Sequence, residues 1–390
     1  MNETEPSLCA ELRATVAGEV LGDPVRRGLY ATDASIYQQM PVAVCIPRTR
    51  DDVIAILDVA RRRGVPILGR GGGTSLAGQT TGQSIVVDFS KHLNRLLEVN
   101  EEEQWVRCEP GLIRDHLNLA VQHLGLMFAP ETATSNRAAL GGMIANNSSG
   151  VTSIRHGRTS EHVLEIEALL ADGSIVHLGP STEPPRSARE ASLRESLLAL
   201  ADANRAEIAA RWPKVLRRVG GYALDELIRP EPNFARFLCG SEGTLAVILE
   251  AKLRLVPTPR AVAMMAAHFR DLHECLRTVP AIVAHQPLSV ELLDRRLLEM
   301  SRQNLATAPL CGFVEGDPGA ILLIECDGAD MDEARQRLRV IVETLRATGA
   351  AYAFHHAVDA QERTAMHEVR RQGLGVMSKM VGDAKPIAFI

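Results

Sequence analysis

Four of the five residues from Gly69 to Gly73 are glycine, in the run Gly69-Arg70-Gly71-Gly72-Gly73-Thr74-Ser75-Leu76-Ala77-Gly78-Gln79. The run follows a short apolar stretch, Val65–Leu68, that reads as a strand. Glycines leave no Cβ to block backbone amides from closing on an anion. Thr74 and Ser75 add hydroxyl donors, and no acidic side chain lies in the loop to repel a phosphate. A tight turn between strands accounts for one or two of these glycines, but hardly for all of them beside a Thr-Ser pair. The spacing narrows the ligand. GxGxxG started at Gly69 meets Thr74, and started at Gly71 meets Leu76, so the Rossmann fingerprint fails. Gly73 and Gly78 approach a Walker spacing, but Gln79 stands where that motif requires lysine. A flexible loop around a dinucleotide pyrophosphate remains.

A second segment shares this character: Pro130-Glu131-Thr132-Ala133-Thr134-Ser135, then Gly141-Gly142-Met143-Ile144-Ala145-Asn146-Asn147-Ser148-Ser149-Gly150. Small residues here permit close backbone contact with a flat ring system or a diphosphate, although they also let helices pack closely. At this distance after the first loop the pairing is far more specific than either run alone.

Between and around these loops the chain alternates strand and helix, an α+β or α/β pattern. Thr49 caps a helix with Asp51 and Asp52 in its first turn, and Gly64 ends it. Ser84–Phe89 and Trp105–Glu109 read as strands, and Ile113–Leu124 as an amphipathic helix. Asp172-Gly173 between Val163–Leu170 and Ile175–Leu178 signals a hairpin. Arg189–Arg211 reads as a charged peripheral helix, and Phe237–Val256 as strand-like sequence around Gly240-Ser241-Glu242-Gly243. Pro257-Thr258-Pro259 is the best domain boundary. Beyond it come strand Ala261–Phe269, helix Asp271–Ala284, strand Ile321–Cys326, helix Asp332–Ala347 and strand Ala351–His356, an arrangement like a split β-α-β sandwich.

Charge and cysteine usage exclude several classes. With 390 residues and a net charge of −5 there is no overall basic field, so nucleic acid is not an expected partner. The short runs Arg61–Arg63 and Arg217–Arg218 read as solvated helix ends. Seven cysteines form no CxxC pair, which speaks against a zinc ribbon or an iron–sulfur run within this sequence and suits a reducing compartment. No apolar stretch is long enough to span a membrane, and the first residues have no signal-peptide core. The expected location is the cytoplasm, including the inner face of the membrane.

The two loops, with Arg158-Thr159, Val163–Gly173 and Gly240-Ser241-Glu242-Gly243-Thr244-Leu245, resemble the FAD domain of the vanillyl-alcohol-oxidase/p-cresol-methylhydroxylase superfamily (FAD-linked oxidase type 4). Within it the chain is similar to the D-lactate, glycolate and D-2-hydroxyglutarate dehydrogenase branch, above all to bacterial D-2-hydroxyglutarate dehydrogenase-like FAD/iron–sulfur proteins, from about Leu21 to the last residue. The resemblance implies an α+β chain: a p-cresol-methylhydroxylase-type FAD-binding domain over 1–257, with its core about 41–257, then an incomplete ferredoxin-like substrate cap over 258–390. It implies FAD held non-covalently, since Gly71–Gly73 offers no histidine for a covalent link. Arg70, Gly71, Gly72, Gly73, Thr74, Ser75, Gly78 and Gln79 would hold the pyrophosphate. Pro130, Thr132, Gly141, Gly142, Asn146, Ser149 and Gly150 would line the flavin and ribityl chain. Val163 and Ile166 would offer backbone contacts on the adenine side, and Glu242 with Gly243 would close the site. Tyr222 lies in a part that often approaches the flavin; a packed tyrosine fits as well.

In the second domain the resemblance points to Arg370 and Lys385, fifteen positions apart, as binders of a small 2-hydroxy acid, an anion that suits a guanidinium fork and a second cation. A threonine often found four after the arginine is Leu374 here, a departure in the side-chain carboxylate site. The plain alternative for Arg370 is a helix-surface arginine. His355 and His356, adjacent on a strand, read as structural, and His367 as solvated. The metal-binding and proton-abstracting histidines of the family, and its iron–sulfur cysteines, have no counterpart motif in these residues. They are expected further along a longer enzyme, with this chain as its N-terminal part, without turnover alone. The rival readings are a D-lactate or glycolate dehydrogenase-type subunit, and a flavin-binding fragment. Nothing in the sequence names the electron acceptor.

Overall fold

The computed structural model describes residues 4–377 and Gly382. The chain divides into two units: the first runs to Ser149 and resumes from Arg158 to Pro257, and the second comprises Gly150–Gly157 and the described residues from Thr258 onward.

The first unit holds two main sheets. In one, β1 (Glu19–Leu21), β2 (Ala43–Ile46), β3 (Ile67–Arg70) and β4 (Ile85–Asp88) stand in the order β1-β2-β4-β3, with β2, β4 and β3 parallel. Helix Arg50–Arg63 makes the crossover. Its Thr49 side chain accepts from Asp52 N and the Asp52 side chain reciprocates, a full capping box, and Gly64 closes it at φ 64°. Val53, Ile56, Leu57, Val59 and Ala60 recur at helical spacing and are buried with Ile85 and Val87 of β4. Strand β3 lies two residues later than expected at each end, Ile67–Arg70 against Val65–Leu68, so the glycine-rich run begins inside it.

The other sheet is antiparallel: β5 (Leu96–Asn100), β6 (Trp105–Cys108), then β8 (Val163–Leu169), β9 (Ile175–Leu178) and β10 (Val247–Arg254), in the order β5-β6-β10-β8-β9. Two short strands, β7 (Leu126–Met127) and β11 (Val256–Pro257), pair beside it. The Asp172-Gly173 hairpin forms, with Gly173 at φ 88°. Three expectations need correction. Phe237–Val256 is not strand throughout: Asn233 caps a helix, Phe234–Leu238, and strand begins only at Val247. Arg189–Arg211 is two helices, Ala188–Ala203 and Arg205–Arg211, and it is not merely peripheral, because Glu190 and Arg194 form a buried ion pair at 2.6 Å. Arg218 is not a solvated helix end; it pairs with Asp225 and lies 5.4 Å over the Trp212 ring. Charge alone hides such burial, because a paired charge leaves the same letter in the sequence.

The second unit is an antiparallel sheet of β12 (Ala261–Phe269), β13 (Ser289–Asp294), β14 (Ala320–Gly328) and β15 (Ala351–His356), in the order β13-β14-β12-β15. Strand alternation sorts its side chains. Ala263, Met265, Ala267 and Phe269 of β12 and Leu322, Ile324 and Cys326 of β14 meet helices Leu272–Ala284 and Met331–Thr348. Met264, Ala266, Ile321 and Leu323 face the helices Arg295–Gln303 and Ala360–Arg371. Glu325 shares the parity of Ile321 and Leu323, so a carboxylate is carried into that second layer. β13 and helix Arg295–Gln303 lacked a clear sequence signal, Ser289–Asp294 being half polar.

The capping box should contribute measurably. Thr49→Val is expected to lower unfolding free energy by about 1 kcal/mol, read as a shift of the urea midpoint; an unmoved midpoint would deny the cap that role.

Candidate functional site: a cradle of unpaired amides

Three stretches of the first unit meet at the end of β3. Gly71 and Gly72 lie against the segment that leads into helix Leu140–Asn146. A Cβ on Gly71 would stand 2.5 Å from the Ala139 Cβ, and one on Gly72 only 2.1 Å from the Arg137 carbonyl oxygen. Gly141 is equally confined, 2.5 Å from the Pro110 Cβ. The third stretch is bonded to the end of the same helix, with Gly240 N and Glu242 N donating to Ile144 O and Ala145 O at 3.1 and 2.9 Å. Glu242 holds a left-handed φ of 51° and Gly243 one of 77°, a bend that brings the Glu242 carboxylate within 3.2 Å of Gln79 Nε2.

Two carbonyls of the glycine-rich loop are engaged: Gly73 O takes Ala34 N at 3.1 Å, and Gly78 O takes Thr81 N at 3.2 Å. The backbone amides of Gly72, Gly73, Thr74 and Ser75 donate to no acceptor among the described residues. A run of free N–H groups without a carboxylate among them is an anion nest. Gly142 is exposed and a Cβ there would touch nothing, so this turn of the helix is open to a ligand's approach. The Thr132 hydroxyl is buried without a hydrogen-bond partner among the described residues, a donor awaiting an acceptor.

The remaining expected residues fall as follows. Arg70 sits at the loop's entry, but its guanidinium donates to the Tyr30, Thr32 and Thr80 carbonyls at 3.2, 2.8 and 3.2 Å. Ser75 Oγ donates to Gln79 Oε1. Gly78, at φ 84°, lies on the Tyr37 ring. Pro130 O accepts from Arg114 Nε at 3.1 Å, and Asn146 Oδ1 from Ser148 Oγ at 3.1 Å. Ser149 ends the first unit's segment and Gly150 opens the second unit's. Val163 starts β8, whereas Ile166 lies deeper in it, flanked by β10 and β9 and buried in the core. Tyr222 is exposed, and its hydroxyl shares a 2.9 Å hydrogen bond with Thr244 Oγ1.

In the second unit, Arg370 Nε donates to Glu291 Oε2 at 2.6 Å and the side chain is half-buried. Lys385 lies outside the described residues. His367 is not solvated: its Nε2 is 2.9 Å from the buried Glu325 carboxylate, which also accepts from Ser289 Oγ at 2.8 Å. Sequence reading missed Glu325 because a strand of apolar residues hides one carboxylate; the signal available was the His-x-x-Arg spacing that puts His367 and Arg370 on one helix face. His355 is bonded to Glu362 at 2.6 Å, a structural use. No cluster of three or more His, Cys, Asp or Glu able to hold a metal occurs among the described residues, and no described helix is long and apolar enough to cross a membrane.

Two outcomes are expected. Gly72→Ala drives a Cβ into a carbonyl oxygen and should cost about 1–3 kcal/mol of stability, whereas Gly142→Ala should be neutral or add up to about 1 kcal/mol; equal losses in urea denaturation would remove the close approach as the reason for glycine. Burial opposes ionisation of Glu325, yet the bonds from His367 and Ser289 hold its carboxyl below the usual range. A lowered folded-state pKa gives stability that is present above the ordinary carboxylate value and lost as pH falls through the lowered one. The advantage of wild type over Glu325→Gln, on the order of 1–3 kcal/mol at neutral pH, should therefore shrink on acidification, and a pH-independent difference would contradict it.

Residues 41–179 match the family described as FAD binding domain, and residues 258–390 the family of FAD linked oxidases, C-terminal domain. D-2-hydroxyglutarate dehydrogenase of Pseudomonas putida is 32% identical over 400 residues, covering 96% of this chain and 39% of that protein. The glycolate oxidase subunit GlcD of Bacillus subtilis is 30% identical over 363 residues, covering 91% of this chain and 66% of the subunit. The chain thus spans well under half the length of the dehydrogenase. The structure of p-cresol methylhydroxylase with substrate bound superposes with a TM-score of 0.67 at 15% identity, covering 95% of this chain and 70% of that one, a likeness of fold. With both family segments matched in order, and on that fold, this chain belongs to the FAD-linked oxidases.

Proposed function

We propose that this chain is the flavin-holding part of a dehydrogenase that oxidises a D-2-hydroxy acid, D-2-hydroxyglutarate or a close analogue, to the 2-oxo acid. The observation that carries the reading is the nest of unpaired amides at Gly72–Ser75, in a chain whose identity to a D-2-hydroxyglutarate dehydrogenase runs over nearly its whole length. The residues fit FAD: a pyrophosphate accepts from the free amides and from the Thr74 hydroxyl, while Ser75 Oγ ties the loop to Gln79. Gly142, Asn146 and Ser149 give a flat ring system room, and the Thr132 hydroxyl supplies a donor. Val163, at the start of its strand, is better placed than Ile166 for backbone contact with the adenine, and the Glu242-Gly243 turn bounds the loop through Gln79. The cofactor is held by these contacts alone, without a covalent link. Bound there, FAD supplies an acceptor for the hydride leaving the substrate carbon.

Arg370 binds the substrate carboxylate. Glu291 engages its Nε, which leaves the two terminal nitrogens of the fork for a planar anion. Lys385 serves the second charge of a dicarboxylate. The similarity to glycolate oxidase subunit GlcD, of which the chain covers a larger share, favours a second reading in which a monocarboxylate such as glycolate or D-lactate is the substrate.

Anaerobic mixing of the full-length gene product with each acid separates these. Flavin bleaching should be fastest with D-2-hydroxyglutarate, and Arg370→Ala should lower kcat/KM by about one to two powers of ten. Fastest bleaching with glycolate or D-lactate would establish the second reading, and bleaching with none of the three would overturn both.

A further inference from the structure

The segment just ahead of β2 is folded onto the glycine-rich loop. Thr32 bridges to Gln38, and Gln39 N donates to Ala31 O at 2.8 Å, so residues 31–39 form a closed strap. Four contacts join strap and loop. Arg70 Nη1 reaches Tyr30 O and Thr80 O, and Nη2 reaches Thr32 O. Asp33 Oδ2 accepts from Thr80 Oγ1 at 3.0 Å and Thr80 N at 3.4 Å. Ala34 N donates to Gly73 O. The Tyr37 ring lies against Gly78, 2.7 Å from where a Cβ would stand. Tyr30, just ahead of the strap, ties it to β4 through its Oη, which donates to Asp88 Oδ2 at 2.7 Å, and the Arg70 guanidinium lies 5.3 Å over the Tyr30 ring.

We infer that Asp33 and Arg70 are positioning residues for dinucleotide binding, which act by gripping the loop from its acceptor side and hold its amides free for a diphosphate. Every polar contact between strap and loop uses a loop carbonyl, a loop side chain, the Thr80 amide beyond the glycines, or Arg70 itself. None uses the amides of Gly72, Gly73, Thr74 or Ser75. With its three hydrogen bonds to carbonyls, Arg70 fixes the loop and leaves the phosphate to the backbone. Gly73 belongs to the same device: its φ is 62°, and a Cβ would stand 2.6 Å from Arg70 Nη2. A loop held this way is already arranged for its ligand, so binding need not order it. The inference rests on the FAD reading above, and extends it to residues that carry no contact with the cofactor.

Sign separates this role from simple electrostatics. Asp33 is a negative charge beside an anion site, so its removal would tighten anion binding if charge alone mattered. The positioning role demands the reverse. The probe is ADP, which carries the diphosphate without the flavin, titrated calorimetrically into the full chain, with FAD in parallel. Asp33→Ala is expected to weaken ADP about ten-fold. Thr80→Val removes the hydroxyl donor without altering charge and should weaken it several-fold, with the melting temperature of the unliganded chain kept within about 3 °C. Arg70→Lys keeps the charge but cannot reach three carbonyls, and should lose about as much as Asp33→Ala. ADP affinity equal to wild type or tighter in Asp33→Ala, or in Thr80→Val should the former not fold, overturns the positioning role and leaves the FAD reading standing. Wild-type chain that binds neither ADP nor FAD overturns the FAD reading, and this one with it.

Discussion

The contact on which the first unit's site depends is the approach of Gly72 to the Arg137 carbonyl, where even a methyl group would stand 2.1 Å from oxygen. Two stretches distant in the sequence, at Gly72 and Arg137, meet there at backbone distance, and only glycine permits it. The meeting sets helix Leu140–Asn146 beside the loop. The end of that helix in turn holds the Gly240–Glu242 bend through Ile144 O and Ala145 O, and the bend returns to the loop through Glu242 and Gln79. The circuit closes through three segments, with the glycine contact as one of its joints.

The same economy of polar groups governs what the loop offers. A buried or half-buried backbone normally pairs both its donors and its acceptors. Here a block of four consecutive donors, Gly72 to Ser75, is left unpaired although acceptors are near: Asp33 and the Gln79 side chain lie close by and bond elsewhere. Free amides in a row are a standing donor set for an anion. That accounts for the absence of any acidic residue in the loop.

The second unit handles charge differently. Strand parity carries Glu325 into a buried layer, and the cost of that burial is offset by Ser289 on the neighbouring strand and His367 on the overlying helix. One turn along the same helix Arg370 meets Glu291, the residue two along β13 from Ser289. Two acid–base pairs thus join one helix to two adjacent strands, and Arg370 is oriented by a partner of its own rather than left to solvent.

Much of this was legible in the residues. The capping box at Thr49, the left-handed Gly64, the Asp172-Gly173 hairpin and the two helices on one face of the second sheet follow from local rules of backbone and periodicity, which act within a few residues and so leave their mark in the sequence. The glycine-rich loop announced an anion site for the same reason. The β5 and β13 strands left no such mark, since pairing with a neighbour far along the chain holds them in place. Sequence by itself determined the FAD-linked fold class and which loop would expose amides, because φ, Cβ volume and charge are properties of each residue. Only the tertiary structure decided that Arg70 grips carbonyls, that Asp33 reaches Thr80, and that Glu325 and His367 share a buried bond. A side chain's partner depends on which distant segment packs against it, and that is settled by the fold.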